Sequence, residues 1–432
     1  GSAATEDAGL VMDGQDDFVA RPILHLEVTS PTNPAATDAT GGVLTVAGQN
    51  FATRVTARNV NGVATPNFGR ESPVEAVQLR SSLVAPAGGN NPAPVGSLGA
   101  AVNGVLSGNW RWDEVGIITL TPRLSDGDYL GYGTPAQPAP GNNPDVVGSS
   151  LPNVGRFVPA RLSVVPNTPT FANACAAGSF GYVGQEFGFA IDPQLTVGGV
   201  SGQGGVTGNY VNAGGPENAF WKFAGTMVNR TLTNSATDTA AVLSRTTAGS
   251  NGVVSANTAS PFDGTGLVTV SGDRLTYAKP LVPEDPFVAQ ASLTLTAADL
   301  TDSDGVCFDT AALNGCDPLT IAGITGSEQR WGRISVTNAF GPEVIDLQVP
   351  MRAEFFNGTT FVANIADACS GVGVAPLVDA NAGDSLLPSE TCVQDSGSPG
   401  ASGQGCSVAG PVDRRYTATP GVGAGGTYTL WL

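Results

Sequence analysis

The stretch DLTDSDGVCFD, Asp299 to Asp309, sets Asp299, Asp302, Asp304 and Asp309 around one glycine in a chain with only 13% charged residues. Carboxylates at such short spacing suit a hard cation, since calcium takes about six to eight oxygens that side chains, backbone carbonyls and water can supply around a tight turn. The spacing is not that of an EF-hand. With Gly305 at the loop's sixth position, Leu300 falls at the first and Ala311 at the twelfth, where acidic ligands belong. Calcium held by Asp299, Asp302, Asp304 and Asp309 is one expectation; the competing one is an Asx turn whose side chains cap backbone amides. A smaller version, Asp126 and Asp128 in LSDGDYLG, raises the same two alternatives.

Other chemistries find less material. His25 is the only histidine and lies beside Glu27 without a nucleophile motif, so serine or cysteine catalysis through histidine is not expected. Zinc and redox metals want imidazole or thiolate clusters. A glycosidase with paired carboxylates stays as an alternative, because two acids can meet from distant strands. Trp110, Trp112 and Trp221, together with Trp331, could stack on glycans, although the alternation in NWRWDE points to strand packing. Lys222 in FWKF could form an isopeptide bond with a buried Asn or Asp, or simply run its stem past aromatic neighbours.

The six cysteines, Cys175, Cys307, Cys316, Cys369, Cys392 and Cys406, are even in number and lack CxxC or zinc spacing. That pattern predicts disulfides formed in an oxidising compartment. Cys307 with Cys316, and Cys392 with Cys406, could each close a short loop, but connectivity stays open.

The elements that must hold these residues read as strands. The chain has 58 glycines and 31 prolines in 432 residues, with Thr, Val, Ser and Asn throughout, which suits short strands and turns. Phe51, Val55 and Ala57 alternate with Arg54, Thr56 and Arg58, and Phe187, Phe189 and Ile191 share a face in the same way. Leu24, Leu26 and Val28 form an inward face, leaving His25 outward. Only SATDTAAVLSR could make a short helix.

Three marks recur in order. FVARPILHLEV from Phe18 is answered by FVPARLSV from Phe157, and GQNF at Gly48 by GQEF at Gly184. GIITLTPRLSDGDYLG is answered by ASLTLTAADLTDSDGV, each with an Asp-x-Asp pair after its TLT strand. The fold class expected is therefore all-β: tandem immunoglobulin-like sandwiches followed by a third β-rich region. The expected division is a tail at 1–17, sandwiches at 18–139 and 156–325, a Pro/Gly-rich linker at 140–155, and a C-terminal β region at 326–432, with a hairpin turn at Asn357-Gly358.

Acids outnumber bases 37 to 19, for a net charge of −18, and the only lysines are Lys222 and Lys279. Such a surface repels phosphate backbones, so no nucleic-acid partner is expected, and isolated anionic glycans would need a bridging cation. No run of about 18 apolar residues exists, so the chain is not expected to be transmembrane. GSAATEDAG has neither a basic n-region nor an apolar core, which predicts a signal peptide already removed, while GGTYTLWL ends in a strand and predicts a chain that continues.

LSDGDYLG, GRFVPARLSV, DLTDSDGVCFD and above all RWGRISVTNAFGPEVIDLQVPMRAEFFNGTTFVANIADACS resemble the conserved C-terminal region of MshQ-like proteins, which are associated with mannose-sensitive haemagglutinin (MSHA) type IV pili. The resemblance covers the chain from about Phe18 onward. It implies a non-enzymatic cell-surface or extracellular component working in adhesion or pilus-tip assembly. The partners implied are pilus minor subunits or a host or abiotic surface, glycans included. The alternatives are a structural spacer carrying another binding module and an envelope glycosidase.

Overall fold

The computed structural model describes residues 25–59, 61–126, 149–249, 253–256, 262–310, 315–342, 348–367, 369–370, 392–395 and 427–431. Asp128, Cys406 and Leu24 lie outside them, as do the side chains of His25 and Cys392. The described residues hold strands and two short 3-10 turns but no α-helix.

Two compact units divide the chain: residues 1–161, 198–221 and 257–265 form unit 1, and residues 162–197, 222–256 and 266–432 form unit 2. Unit 1 contains β1 (His25–Thr29), β2 (Thr45–Val46), β3 (Phe51–Arg58), β4 (Val77–Ala85), β5 (Val95–Leu98), β6 (Val105–Arg111), β7 (Gly116–Leu124) and β8 (Leu151–Val158). They make two four-stranded sheets, ordered β1-β3-β6-β5 and β2-β8-β7-β4. Period-two alternation turns one side of each sheet inward. Leu26, Val28, Phe51, Val55, Leu106 and Trp110 from the first thereby meet Leu79, Ile118, Leu120, Val154 and Phe157 from the second in one sandwich core. Phe157 is its hub, with ring centroids 5.4 Å from Phe51 and 5.3 Å from Trp112.

The sequence placed a linker at 140–155 and a new sandwich from 156. In the structure Leu151–Val158 is a strand of unit 1, antiparallel to β7 and parallel to β2. Its backbone groups need ladder partners, and β2 and β7 supply them.

The chain continues with β9 (Arg161–Pro166), β10 (Thr170–Phe171), β11 (Gly181–Tyr182), β12 (Phe189–Ile191), β13 (Gln194–Val200), β14 (Thr231–Asn234), β15 (Leu243–Thr247), β16 (Val253–Ala256), β17 (Thr265–Thr269), β18 (Arg274–Tyr277), β19 (Phe287–Leu295) and β20 (Leu319–Arg330). The last are β21 (Gly332–Val336), β22 (Gln348–Phe356), β23 (Phe361–Ala363), β24 (Cys392–Asp395) and β25 (Thr427–Trp431). The largest sheet runs β12-β10-β20-β19-β14, with β11 also on β20. The C-terminal sheet runs β21-β22-β25-β24, with β23 on β22.

The repeated GQ marks keep the same local geometry. Gly48 and Gly184 take φ +83° and +94°, which a side chain resists, and each leads to a buried phenylalanine, Phe51 or Phe187. The Asn357-Gly358 hairpin forms as read, with β22 antiparallel to β23 and the Asn357 side-chain oxygen accepting the Thr359 and Thr360 amides.

Two local readings are corrected. Ile191 is 51% exposed, because β12 is the edge strand of its sheet. SATDTAAVLSR is not helical: the Thr239 hydroxyl and Ala240 amide donate to the Glu284 carboxylate, and Leu243 onward pairs with β18.

Candidate functional site

The aspartate turn is built by its own backbone. Asp302 Oδ1 accepts the amides of Asp304 and Val306, both at 2.9 Å. The Asp302 carbonyl accepts Gly305 N–H, and Gly305 sits at φ +80°. Asp299, one turn earlier, is buried and spends both oxygens: Oδ1 accepts Asn229 N at 3.0 Å, and Oδ2 accepts the Thr296 amide and hydroxyl at 3.0 and 2.8 Å.

The Cys307–Cys316 disulfide and the Thr310 hydrogen bonds to Asp317 close the loop that follows. Among the described residues no three of Asp299, Asp302, Asp304 and Asp309 converge as a cation cage. The Asp302 oxygen that accepts two backbone amides has the Asx-turn geometry, and the Asp299 oxygens are likewise engaged with N–H and O–H donors. Asp126 is exposed at the end of β7, and Asp128 lies outside the described residues.

The tryptophans are also reassigned. Trp110 and Trp112 are 4% and 0% exposed, in the sandwich core, so neither offers a ring face to a sugar. Trp112 Nε1 donates to Pro92 O at 3.0 Å. Trp221 is half-buried against Tyr210, with centroids 5.1 Å apart. Trp331 is covered by Lys279, whose ammonium lies 4.0 Å from the ring centroid and donates to Gly332 O. Burial pushes the Lys279 ammonium below its ordinary pKa. The Lys222 carbonyl accepts Ser303 N–H.

Two disulfides among the candidate cysteines, and a polar network that the sequence did not single out, hold the structure. Cys175 pairs with Cys369, 194 positions away, and Cys307 with Cys316; Cys406 and the Cys392 side chain lie outside the described residues. Beside the long-range bridge, Asn364 Nδ2 donates to the Tyr182 hydroxyl at 2.6 Å, and that hydroxyl donates to Asp367 Oδ2 at 2.9 Å. Asp367 Oδ1 accepts the Cys369 and Ser370 amides, and Arg330 Nη1 reaches Asn364 Oδ1 at 2.7 Å. Burial raises the Tyr182 hydroxyl pKa well above its ordinary value, and the Asp367 charge adds to it. The only available signal was NIADACS, which sets Asn364 and Asp367 within five residues of Cys369.

Replacing Cys175 and Cys369 together by serine is expected to cost about 2–4 kcal/mol, because the bridge removes the closure entropy of a long loop from the unfolded chain. Urea unfolding reads this directly, and an unchanged midpoint would assign the joint to the polar network alone.

Glu114 is a second buried brace, inside unit 1. Its oxygens accept the amides of Gly208 at 2.9 Å, Asn209 at 3.1 Å and Val115 at 3.2 Å. Burial raises its pKa above the ordinary 4.5, and the hydrogen bonds to Asn209, Gly208, Val115 and Asn90 offset part of that. A raised carboxyl binds its proton more tightly in the folded state. Its favourable contribution is full below pH 4.5 and is lost as pH rises through the folded value. Urea midpoints measured across the acid range are expected to show this fall, and Glu114→Gln to flatten it; an unaltered profile in the variant would refute the assignment.

An all-β chain, with a two-sheet sandwich in unit 1 and buried acids spent on bracing, is the class of protein that fold and site define. The chain belongs to the DUF6701 family: residues 22–110 match its second domain, 114–323 its third and 330–432 its fourth. No curated protein matches the chain.

Solved structures with similarity include InvD of Yersinia pseudotuberculosis, at 11% identity and TM-score 0.23, over 78% of this chain and 71% of that one. The Yersinia pseudotuberculosis adhesin InvE follows at 14% and 0.22, over 76% and 66%. Invasin, described as a bacterial integrin-binding protein, gives 11% and 0.24, over 94% and 54%. The chain thus spans about two thirds of InvE and about half of invasin. Likeness at this level concerns the kind of fold and carries no functional argument.

Proposed function

We propose that the chain is a non-enzymatic extracellular component of an MSHA-like type IV pilus system, acting in surface adhesion or pilus-tip assembly. The observation that carries the reading is the Cys175–Cys369 joint with its Tyr182, Asn364, Asp367 and Arg330 network. A covalent tie across 194 positions, backed by buried hydrogen bonds, resists local opening, as a part that transmits force requires.

Further support comes from the buried acids. Asp273 pairs with Arg230, Glu354 with Arg333 and Arg352, and Asp299 and Glu114 with backbone amides, an economy of bracing rather than turnover. Disulfides suit an oxidising compartment. Among the described residues no helix is long and apolar enough to cross a membrane. The pilus itself enters through the sequence resemblance, and with it minor pilus subunits or a host or abiotic surface as partners.

Immunogold labelling of cells that carry the chain, with attachment under flow compared in a deletion strain, tests the reading. Label on pili or at the cell surface and reduced attachment are expected. Surface label with normal attachment would leave only a spacer, and label confined to the cytoplasm would end the proposal.

A further inference from the structure

Unit 1 has a groove of about 600 Å³ beside two of its edge strands, β4 and β5, lined among others by Gln78, Arg80, Asn91, Trp110 and Arg123. Two of these residues keep a buried donor without an acceptor, Trp110 Nε1 and Arg123 Nε. A buried N–H left unpaired costs about 1–3 kcal/mol, which an acceptor entering the groove would relieve.

Gln78 and Arg80 share one side of β4 by period-two alternation, and Arg123 stands opposite Gln78 in the β4–β7 register. No ion pair engages Arg80 or Arg123 among the described residues, and no acid lines the groove. In a chain of net charge −18 this is a local reversal of sign. Acceptors are present too. Gln78 Nε2 is held by Ser125 O and Asn91 Nδ2 by Ser81 O, which leaves both side-chain carbonyl oxygens to accept from hydroxyls.

We propose that this groove binds a carboxylate-bearing saccharide. The guanidinium groups of Arg80 and Arg123 and the Trp110 N–H take the carboxylate and ring oxygens, and Gln78 and Asn91 take the hydroxyls. Guanidinium–carboxylate bonds are the strong, orienting ones, and amide carbonyls distinguish a polyol from a bare anion. The local arginines do the work that the net charge had assigned to a bridging cation. The inference adds a ligand to the adhesion reading without resting on the pilus.

Isothermal titration of the whole chain with a galacturonate trimer, a galactose trimer and an acidic peptide tests it. The uronate is expected to bind saturably and more weakly as salt rises, and the neutral trimer at least about tenfold more weakly. Arg80→Gln combined with Arg123→Gln is expected to lose at least about tenfold in affinity while keeping the wild-type melting temperature. Arg80→Gln alone, at an exposed position, provides the same readout should the double variant fold poorly. No saturable heat from the uronate, equal binding of the galactose trimer, tighter binding of the peptide, or undiminished binding by both variants would overturn the proposal. Since binding is read on the purified chain, its failure leaves the localisation and attachment experiment standing, and the reverse also holds.

Discussion

Asp273→Ala is expected to destabilise unit 2 by about 3–5 kcal/mol, a large share of what any domain of this kind possesses. Asp273 and Arg230 form a two-pronged pair, Nε to Oδ2 at 3.0 Å and Nη2 to Oδ1 at 2.7 Å, with side chains only 2% and 1% exposed. Arg230 Nη1 also donates to Met227 O, and Asp273 Oδ1 accepts Gly249 N at 2.7 Å. Truncating the acid leaves the buried guanidinium without its counter-charge and the half-buried Gly249 amide without this acceptor, and the uncompensated charge dominates the loss. Replacing both partners by apolar residues of similar size, Arg230→Met with Asp273→Leu, is expected to cost much less. Urea unfolding of the wild type and the two variants decides the matter. A single variant no worse than the double one would show that the pair contributes little beyond packing.

A fragment ending at Asp113, which contains the whole second-domain match, is expected not to fold at all. β2 and β4 fall within that match, yet their sheet is β2-β8-β7-β4, and β7 and β8 belong to the third-domain match. Ending the chain there removes Ile117, Ile118, Leu120, Leu124, Val154 and Phe157, all buried. Each contributes about 1.5–3 kcal/mol, so the loss is on the order of 10 kcal/mol or more and exceeds the margin by which small domains are stable. Amide chemical-shift dispersion and a thermal melt of residues 22–113 provide the check. A cooperative transition in that fragment would show that the first sheet and its loops suffice.

What the sequence made legible is what depends on near neighbours. Alternation in FATRVTAR placed Phe51, Val55 and Ala57 inward, and Asn357-Gly358 announced its hairpin, because both signals sit within a few residues of their consequence. The short bridge between Cys307 and Cys316 was in view for the same reason. The allotment of β8 to unit 1, the partner of Cys175, and the meeting of Arg230 with Asp273 depend on how distant strands pair, which no local pattern encodes. The aspartate turn shows the remaining gap. Composition reported four carboxylates, but only coordinates show that Asp299 and Asp302 turn their oxygens toward amides.

The order of the bridges along the chain constrains how the protein is made. An oxidase meeting the thiols as they emerge would join Cys175 to the next one available, Cys307, whereas the native partner of Cys175 is Cys369 and Cys307 belongs with Cys316. Wherever that first bridge forms, the native pairing is reached by thiol–disulfide exchange once Cys369 has been synthesised.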